Sequence, residues 1–151
     1  SNLIEMQEVI VRTYGDLYKT EIIAGNHKMI GDEPKPIGQD LGPNPYDFLL
    51  SAVGACVGMT LRMYAERKEW DLQEVEVLLA QERIHAKDCT DCKSEVGYVH
   101  VIKKQLKFKG NLTPEQRARL KEISDRCPVQ KTLMNEVKFD TTLVEANPTF
   151  Y

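Results

Sequence analysis

Residues 42–61 read GPNPYDFLLSAVGACVGMTL, and this stretch decides the fold. No charged residue lies between Phe48 and Leu61. Asn44 can cap a helix here, Pro45 fits its first position, and the helical pattern then continues for about 24 residues, or about 36 Å. A helix that is apolar on every side must be covered on every side. The stretch therefore predicts a long central helix, covered by sheet on one face and by a second helix or a partner subunit on the other.

Cys56 lies in the middle of this helix, between Gly54 and Gly58. Each glycine costs a helix about 1 kcal/mol relative to alanine. The two glycines either leave room for a small substrate or another backbone to approach the sulfur, or they serve helix packing. A cysteine in an apolar helix is most often core filler, so these residues alone leave the role of Cys56 open.

Alternating apolar residues in the rest of the chain predict strands. These are residues 8–14, 17–23, 72–85, 97–110 and 137–145, with a loop over 27–42 that a short strand enters. Capping signals predict two further helices, one after Thr113 and one over residues 129–135. The pattern predicts a single α+β domain over residues 1–151 with a mainly antiparallel sheet, and we interpret Ser1 and Asn2 as a cloning remnant.

Composition and charge exclude several classes of protein. The 151 residues are 42% hydrophobic and 28% charged, as in an ordinary globular protein. Net charge is −3, and the basic residues are dispersed among acids, so we expect no nucleic-acid partner. The longest uncharged stretch is shorter than the roughly 17–25 residues of a membrane span, and no secretion signal is recognised. We therefore expect a cytoplasmic protein without membrane contact, in which cysteines tend to be catalytic, redox-sensing or metal-binding.

Cys127 precedes Pro128 at a predicted helix start. Exposed backbone N–H groups and the helix dipole can lower a thiol pKa there from about 8.5 toward neutrality. On these residues alone, a small capping residue is the simpler interpretation.

The polar loop HAKDCTDCKSE, residues 85–95, contains a C-x-x-C pair, Cys89 and Cys92. Such a pair supplies half of a tetrahedral zinc site, and His85 could add a third ligand. The candidates for a fourth ligand are Asp88, His100 and a symmetry-related cysteine. A local redox pair and two loop thiols without a function are the alternatives to zinc.

Two segments, GPNPYDFLLSAVGACVGMTLRMYAERK and SDRCPVQKTL, resemble the two signature segments of the OsmC/Ohr family of thiol-dependent peroxidases. DEPKPIGQDLG and KGNLTPEQRARL also fit the OsmC-like branch, and the similarity spans most of residues 30–140. The resemblance implies an intertwined homodimer in which a mainly antiparallel sheet wraps long central helices. It also implies that Cys56 attacks an organic hydroperoxide, that Cys127 resolves the sulfenic acid as a disulfide, and that a dihydrolipoamide-like dithiol restores both thiols without a cofactor.

The resemblance implies supporting residues as well, and here the sequence departs from the family pattern. Active relatives use a glutamate near the helix start to orient an arginine on the thiolate, and the corresponding residue here is Asp47, one methylene shorter. Arg12 is the candidate arginine, since the next one is Arg62. Without an arginine at Cys56 the thiolate loses its main stabiliser. A non-enzymatic protein that binds zinc or an apolar ligand, or a thiol redox sensor, is therefore the alternative function.

Overall fold

The computed structural model describes residues 7–145, so the interpretation of Ser1 and Asn2 lies outside the described residues. The strands are β1 (Ile10–Thr13), β2 (Thr20–Ala24), β3 (His27–Gly31), β4 (Glu74–His85) and β5 (Tyr98–Lys109), and the helices are α1 (Pro45–Lys68), α2 (Pro114–Ser124) and α3 (Pro128–Met134), with a short 3₁₀ turn at Ala86–Asp88. Every strand pairing is antiparallel. The predicted α+β class with antiparallel sheet is confirmed.

The strands form two sheets. Strands β1, β2 and β3 follow one another as a three-stranded meander, and Gly15 lies in the first turn with a positive φ of 87°. Strands β4 and β5 form a long hairpin, in which Glu74 pairs with Lys109 and His85 pairs with Tyr98. Alternate residues of this hairpin pack against the core, as the sequence pattern predicts; they are Val75, Val77, Leu79, Leu106 and Phe108.

Helix α1 has the predicted bounds because both of its ends are capped. The Asn44 side chain accepts a hydrogen bond from Asp47 N at 2.9 Å, and the Asp47 carboxylate accepts one from Asn44 N at 3.0 Å. This reciprocal pair satisfies two N–H groups that the first turn leaves without partners. At the other end, Glu69 adopts a left-handed conformation (φ 57°), and its backbone N–H donates to the carbonyl oxygens of Ala65 and Glu66 in the last turn.

The core forms where one face of α1 meets the hairpin and the two later helices. The buried residues of α1 are Val53, Val57, Leu61, Tyr64 and Ala65, and Leu72, Leu120, Ile123 and Cys127 pack with them. The opposite side of α1 is exposed in a single chain. We call Ala52, Ala55, Met59 and Met63 the exposed stripe; more than 60% of each methionine is accessible to solvent.

By length and composition α1 is also apolar enough to cross a membrane. The core helix of a soluble protein passes the same test, and α1 supplies five of the core residues. The criterion therefore carries little weight for this helix.

A buried carboxylate holds the loop that leads into α1. Only 3% of Asp32 is exposed, and its side chain accepts hydrogen bonds from the backbone N–H groups of Glu33, Gln39 and Leu41. Asp32 N also donates to Pro43 O at 3.0 Å. The loop therefore has a defined path that positions Asn44 as the cap.

The strand predicted over residues 137–145 is wrong for the single chain. These residues form neither helix nor strand, and their apolar side chains face solvent, with Leu143 96% exposed. A strand needs a neighbouring edge to take up its N–H and C=O groups. No strand within residues 7–145 supplies one to this segment.

The two glycines beside Cys56 have different surroundings, which gives a matched pair of variants. A Cβ on Gly54 would lie 2.8 Å from Leu79 Cδ1, whereas a Cβ on Gly58 would meet no described atom within 4 Å. We expect Gly58→Ala to raise the free energy of unfolding by about 1 kcal/mol through helix propensity. Gly54→Ala should gain less, because Leu79 has to move. Urea denaturation measures both, and a larger gain for Gly54→Ala would contradict this assignment.

Candidate active site

Two thiols from distant parts of the chain meet against α1. Cys127 lies in the core with no exposed surface, and Cys56 is partly buried and packs against the same core. Cys56 is close enough to affect the pKa of Cys127, and both cysteines are free thiols. The structure thus places the predicted pair within reach of each other, while their catalytic roles stay predictions.

Local structure explains the position of Cys127. Pro128 begins α3, and Cys127 precedes it in an extended conformation as the capping residue. Its Sγ accepts a hydrogen bond from Gln130 N at 3.3 Å. The interpretation of Cys127 as a cap is therefore correct, and the cap holds the sulfur against α1.

Burial outweighs the helix start in setting the pKa of Cys127. Burial raises this pKa above its ordinary value of 9.0, and the N–H of Gln130 lowers it in part. The neighbouring Cys56 thiol raises it further, and the charge of Lys104 lowers it. The net shift is upward, so Cys127 is protonated at neutral pH. The lower thiol pKa that the helix start favoured is not found.

Lys104 is the cation beside the buried thiol, and the sequence analysis did not identify it. Its side chain is only 12% exposed. The ammonium group donates to Ser124 O at 3.2 Å, to Asp125 Oδ1 at 2.9 Å and to Gln130 Oε1 at 2.6 Å. Strand alternation carried a signal for it, because Lys104 shares the inward face of β5 with Leu106 and Phe108.

Arg12 and Asp47, the predicted supporting residues, have other partners in the single chain. Arg12 lies on β1, about half exposed, and pairs with Glu21 at 3.6 Å. Asp47 uses its carboxylate in the cap of α1, and it precedes Cys56 by nine residues, or about 14 Å along the helix axis. Within residues 7–145, the cation whose charge acts on the Cys127 thiol is therefore Lys104.

The C-x-x-C loop has a different arrangement from the predicted zinc site. Cys89 and Cys92 form a disulfide, which occupies both sulfurs. The potential metal ligands grouped with them include Asp91, not His85, whose ring packs against Tyr98 with centroids 4.7 Å apart. A zinc ion could use Cys89, Asp91 and Cys92 only after reduction of this disulfide.

A groove of about 440 Å³ runs along the start of α1 between the helix and β4. Apolar residues from the helix and the strand line it, together with Asp47 and Ser51, and polar atoms supply the larger part of its accessible surface; the apolar residues are Leu50, Gly54, Ala55, Val75, Val77 and Leu79. It extends to Ala55, the residue before Cys56. A groove of this size admits a substrate of several carbon atoms.

Comparison with protein-family models shows to which family the chain belongs. The family model for OsmC-like proteins matches residues 38–142, which is more than half of the chain. The chain belongs to the OsmC family. The sequence matches no curated protein.

Solved OsmC-family structures share the fold at low sequence identity. An OsmC-like protein from Mycoplasma pneumoniae has a TM-score of 0.68 and 19% identity over 87% of this chain and 89% of its own. The organic hydroperoxide resistance protein OsmC from Legionella pneumophila has a TM-score of 0.59 and 17% identity over 86% and 91%. The organic hydroperoxide resistance protein OhrB of Bacillus subtilis has a TM-score of 0.57 and 17% identity over 85% and 90%.

The OsmC match includes every candidate site residue except those of the N-terminal sheet. Cys56, Cys127 and Lys104 lie within residues 38–142, and so does the C-x-x-C loop. Strands β1 to β3, which carry Arg12, precede the matched range. The family match thus covers both cysteines of the thiol pair and does not cover the predicted arginine.

The two thiols should differ in reactivity. We expect iodoacetamide at pH 8 to label Cys56 well before Cys127, because Cys127 has no exposed surface and a raised pKa. Folding raises the pKa of Cys127. The contribution of Cys127 to the free energy of unfolding is therefore fully present below about pH 9.0, and it is lost as the pH rises through the raised pKa. Peptide mapping follows the labelling. Equal rates for both thiols would refute the assignment.

Removing the buried cation should raise the pKa of Cys127 further. We expect Lys104→Met, made in a Cys56→Ser background, to shift the pH profile of Cys127 alkylation upward, because the positive charge favours the thiolate. Lys103→Met is the matched control, since Lys103 is 62% exposed and pairs with Glu82. If Lys104→Met only lowers the melting temperature and leaves the pH profile unchanged, Lys104 has a purely structural role.

Proposed function

We propose that this OsmC-family chain reduces organic hydroperoxides with Cys56 and Cys127. The single observation that carries the proposal is the meeting of these two free thiols, from α1 and the start of α3, against one apolar core. Two thiols that pack against the same core can form a disulfide without a large rearrangement of the fold. The structural similarity to organic hydroperoxide resistance proteins favours peroxides as the oxidant.

The proposed reaction has three steps. The Cys56 thiolate attacks the terminal oxygen of the hydroperoxide, the O–O bond breaks, and the alkoxide takes a proton to leave as an alcohol. Cys127 then attacks the sulfur of the Cys56 sulfenic acid, and hydroxide leaves as water with the Cys127 proton. An external dithiol reduces the resulting disulfide by exchange and is itself oxidised to a disulfide.

The order of the two cysteines follows from their surroundings. Cys56 is partly exposed, and it follows Ala55, which lines the groove along α1, so a peroxide has access to this part of the helix. Cys127 is fully buried with a raised pKa, which keeps it protonated and out of contact with solvent oxidants. It becomes a nucleophile only toward a sulfur already beside it, and Lys104 stabilises the negative charge that it develops.

The groove favours an organic peroxide over hydrogen peroxide. Leu50 of α1 and Val75, Val77 and Leu79 of β4 contribute apolar side chains to it, and burial of each additional CH₂ of a substrate against them contributes about 0.8 kcal/mol. A dihydrolipoamide-like dithiol is the proposed reductant, and the cytoplasm the proposed location, because the cycle needs a supply of reduced thiols.

The activity is tested by consumption of cumene hydroperoxide in the presence of a dithiol. We expect turnover by the wild type and none by Cys56→Ser. Cys127→Ser should complete one oxidation and stop at the sulfenic acid, which a dimedone label reports. The double variant Cys89→Ser/Cys92→Ser is the control and should keep its turnover. An unchanged rate in Cys56→Ser would refute the proposal.

We also propose that two chains form a homodimer through the exposed stripe. Ala52, Ala55, Met59 and Met63 follow one side of α1 at helical spacing, and a helix as apolar as α1 needs cover there. Residues 136–145 supply a further apolar segment that lacks a partner strand within the described residues. A second copy of the chain can cover both.

A charge in the exposed stripe should separate the two chains. We expect Met63→Glu to convert a dimer to a monomer in sedimentation analysis, because it would bury an unpaired carboxylate in the interface. Val96→Glu is the control, since Val96 is 86% exposed in the hairpin loop. A monomeric wild type, or a dimer that Met63→Glu leaves intact, would contradict the proposed interface.

The pairing of Arg12 with Glu21 favours one alternative function. If no guanidinium stabilises the Cys56 thiolate, the chain keeps the OsmC fold as a non-enzymatic binding protein. The ligand is then zinc on reduced Cys89, Asp91 and Cys92, or an apolar molecule in the groove along α1. Native mass spectrometry of the reduced protein distinguishes the two, since a stoichiometric zinc together with an unreactive Cys56 supports the alternative.

A further inference from the structure

The tip of the β4–β5 hairpin carries a second pair of sulfurs that the peroxide cycle does not use. Cys89 and Cys92 form a disulfide, whereas Cys56 and Cys127 are free thiols. The protein therefore holds two sulfur pairs in two different redox states. They are two separate couples.

The hairpin keeps these couples apart. Leu79 of β4 packs at Gly54, two residues before Cys56 in α1. From Leu79 the strand continues for six more residues to His85, or about 20 Å, before the C-x-x-C loop begins. Sulfurs separated by this distance cannot exchange within one chain. The loop disulfide must react with a thiol from outside the chain.

Other contacts fix the ends of the loop, so its fold does not depend on the disulfide. His85 pairs with Tyr98, and Ala86, which is 2% exposed, donates from its N–H to Gly97 O at 2.9 Å. Cys89 N donates to Ala86 O at 3.1 Å. The disulfide joins residues only three positions apart, and a loop this short gains little stability from cross-linking.

The loop leaves its sulfurs open to a small reactant. Both cysteines are partly exposed, and the residues around them in sequence are exposed and polar: Lys87, Asp88, Thr90, Asp91, Lys93 and Ser94. Asp91 lies beside the pair, with its Oδ1 3.4 Å from Cys89 Sγ. A thiolate that approaches these sulfurs therefore contacts solvent and exposed polar side chains, and no packed core residues of the described part of the chain block its path.

We propose that Cys89 and Cys92 form a thiol–disulfide exchange site for low-molecular-weight thiols, independent of Cys56 and Cys127. A thiolate attacks one loop sulfur and breaks the S–S bond, which gives a mixed disulfide and a loop thiolate that takes a proton from water. A second thiolate attacks the outer sulfur of the mixed disulfide. The thiol pair leaves as its own disulfide, and the loop keeps two electrons and two protons as a dithiol.

Glutathione redox buffers test the proposal on the folded chain. In Cys56→Ser/Cys127→Ser, where only the loop pair remains, we expect a reversible transition that exposes two alkylatable thiols as the ratio of reduced to oxidised glutathione rises. In Cys92→Ser, Cys89 should retain one glutathione as a mixed disulfide, visible by mass. Cys89→Ser/Cys92→Ser should lack the transition and keep the far-ultraviolet dichroism of the wild type.

Two results would overturn the proposal. The first is a loop disulfide that excess thiol leaves intact until the protein unfolds, because such a bond is structural. The second is a reduced loop that holds zinc and does not reoxidise when oxidised glutathione is added, because such a pair is a metal site. Both results are read in Cys56→Ser/Cys127→Ser, whereas hydroperoxide consumption is measured in the wild type, so neither result bears on that activity.

Discussion

The structure depends on the need to cover α1. The helix has 24 residues and no charge between Phe48 and Leu61. Exposure of this apolar surface to water would therefore cost free energy over most of the helix length. The hairpin covers one face through the alternate apolar residues of β4 and β5, and α2 and α3 cover part of the next. Cys127 is brought to Cys56 by this same covering, since the start of α3 packs against the helix. The position of Cys127 beside α1 is thus a result of core formation, and burial in the core in turn raises the pKa of Cys127.

Charge around the buried thiol is arranged in a short network. Lys104 reaches inward from β5 and ties together the end of α2, Asp125 and the side chain of Gln130. The backbone N–H of Gln130 in turn donates a hydrogen bond to Cys127 Sγ. A largely buried ammonium group needs such partners, because burial of a charge without hydrogen bonds to replace those of water is costly. The same contacts fix the link between α2 and α3, so that one cation serves both the electrostatics of the thiol and the geometry of the turn that carries it.

Much of the fold could be predicted from the sequence, because the decisive signals are local. Both ends of α1, the Thr113 cap of α2 and the long hairpin follow from capping residues and periodicity, and the family follows from the two cysteine segments. The remainder depends on contacts between distant residues. Lys104 acts through partners 20 to 26 positions away, and Asp32 holds backbone groups of a loop without periodicity. Residues 137–145 have strand-like alternation but no neighbouring strand edge within residues 7–145, which no local pattern reveals.

The sulfur of Cys127 is also the capping group of α3, and this has a consequence for the oxidised protein. A cap holds its helix through the direction in which the acceptor points, here toward Gln130 N. A covalent bond to α1 would turn that sulfur about its Cβ and weaken the hydrogen bond, so the first turn of α3 would loosen whenever the pair is oxidised. Seven residues give a helix little reserve against such a loss. Formation of the disulfide would therefore change the backbone conformation at the start of α3. A reductant could recognise the oxidised protein by this conformational change.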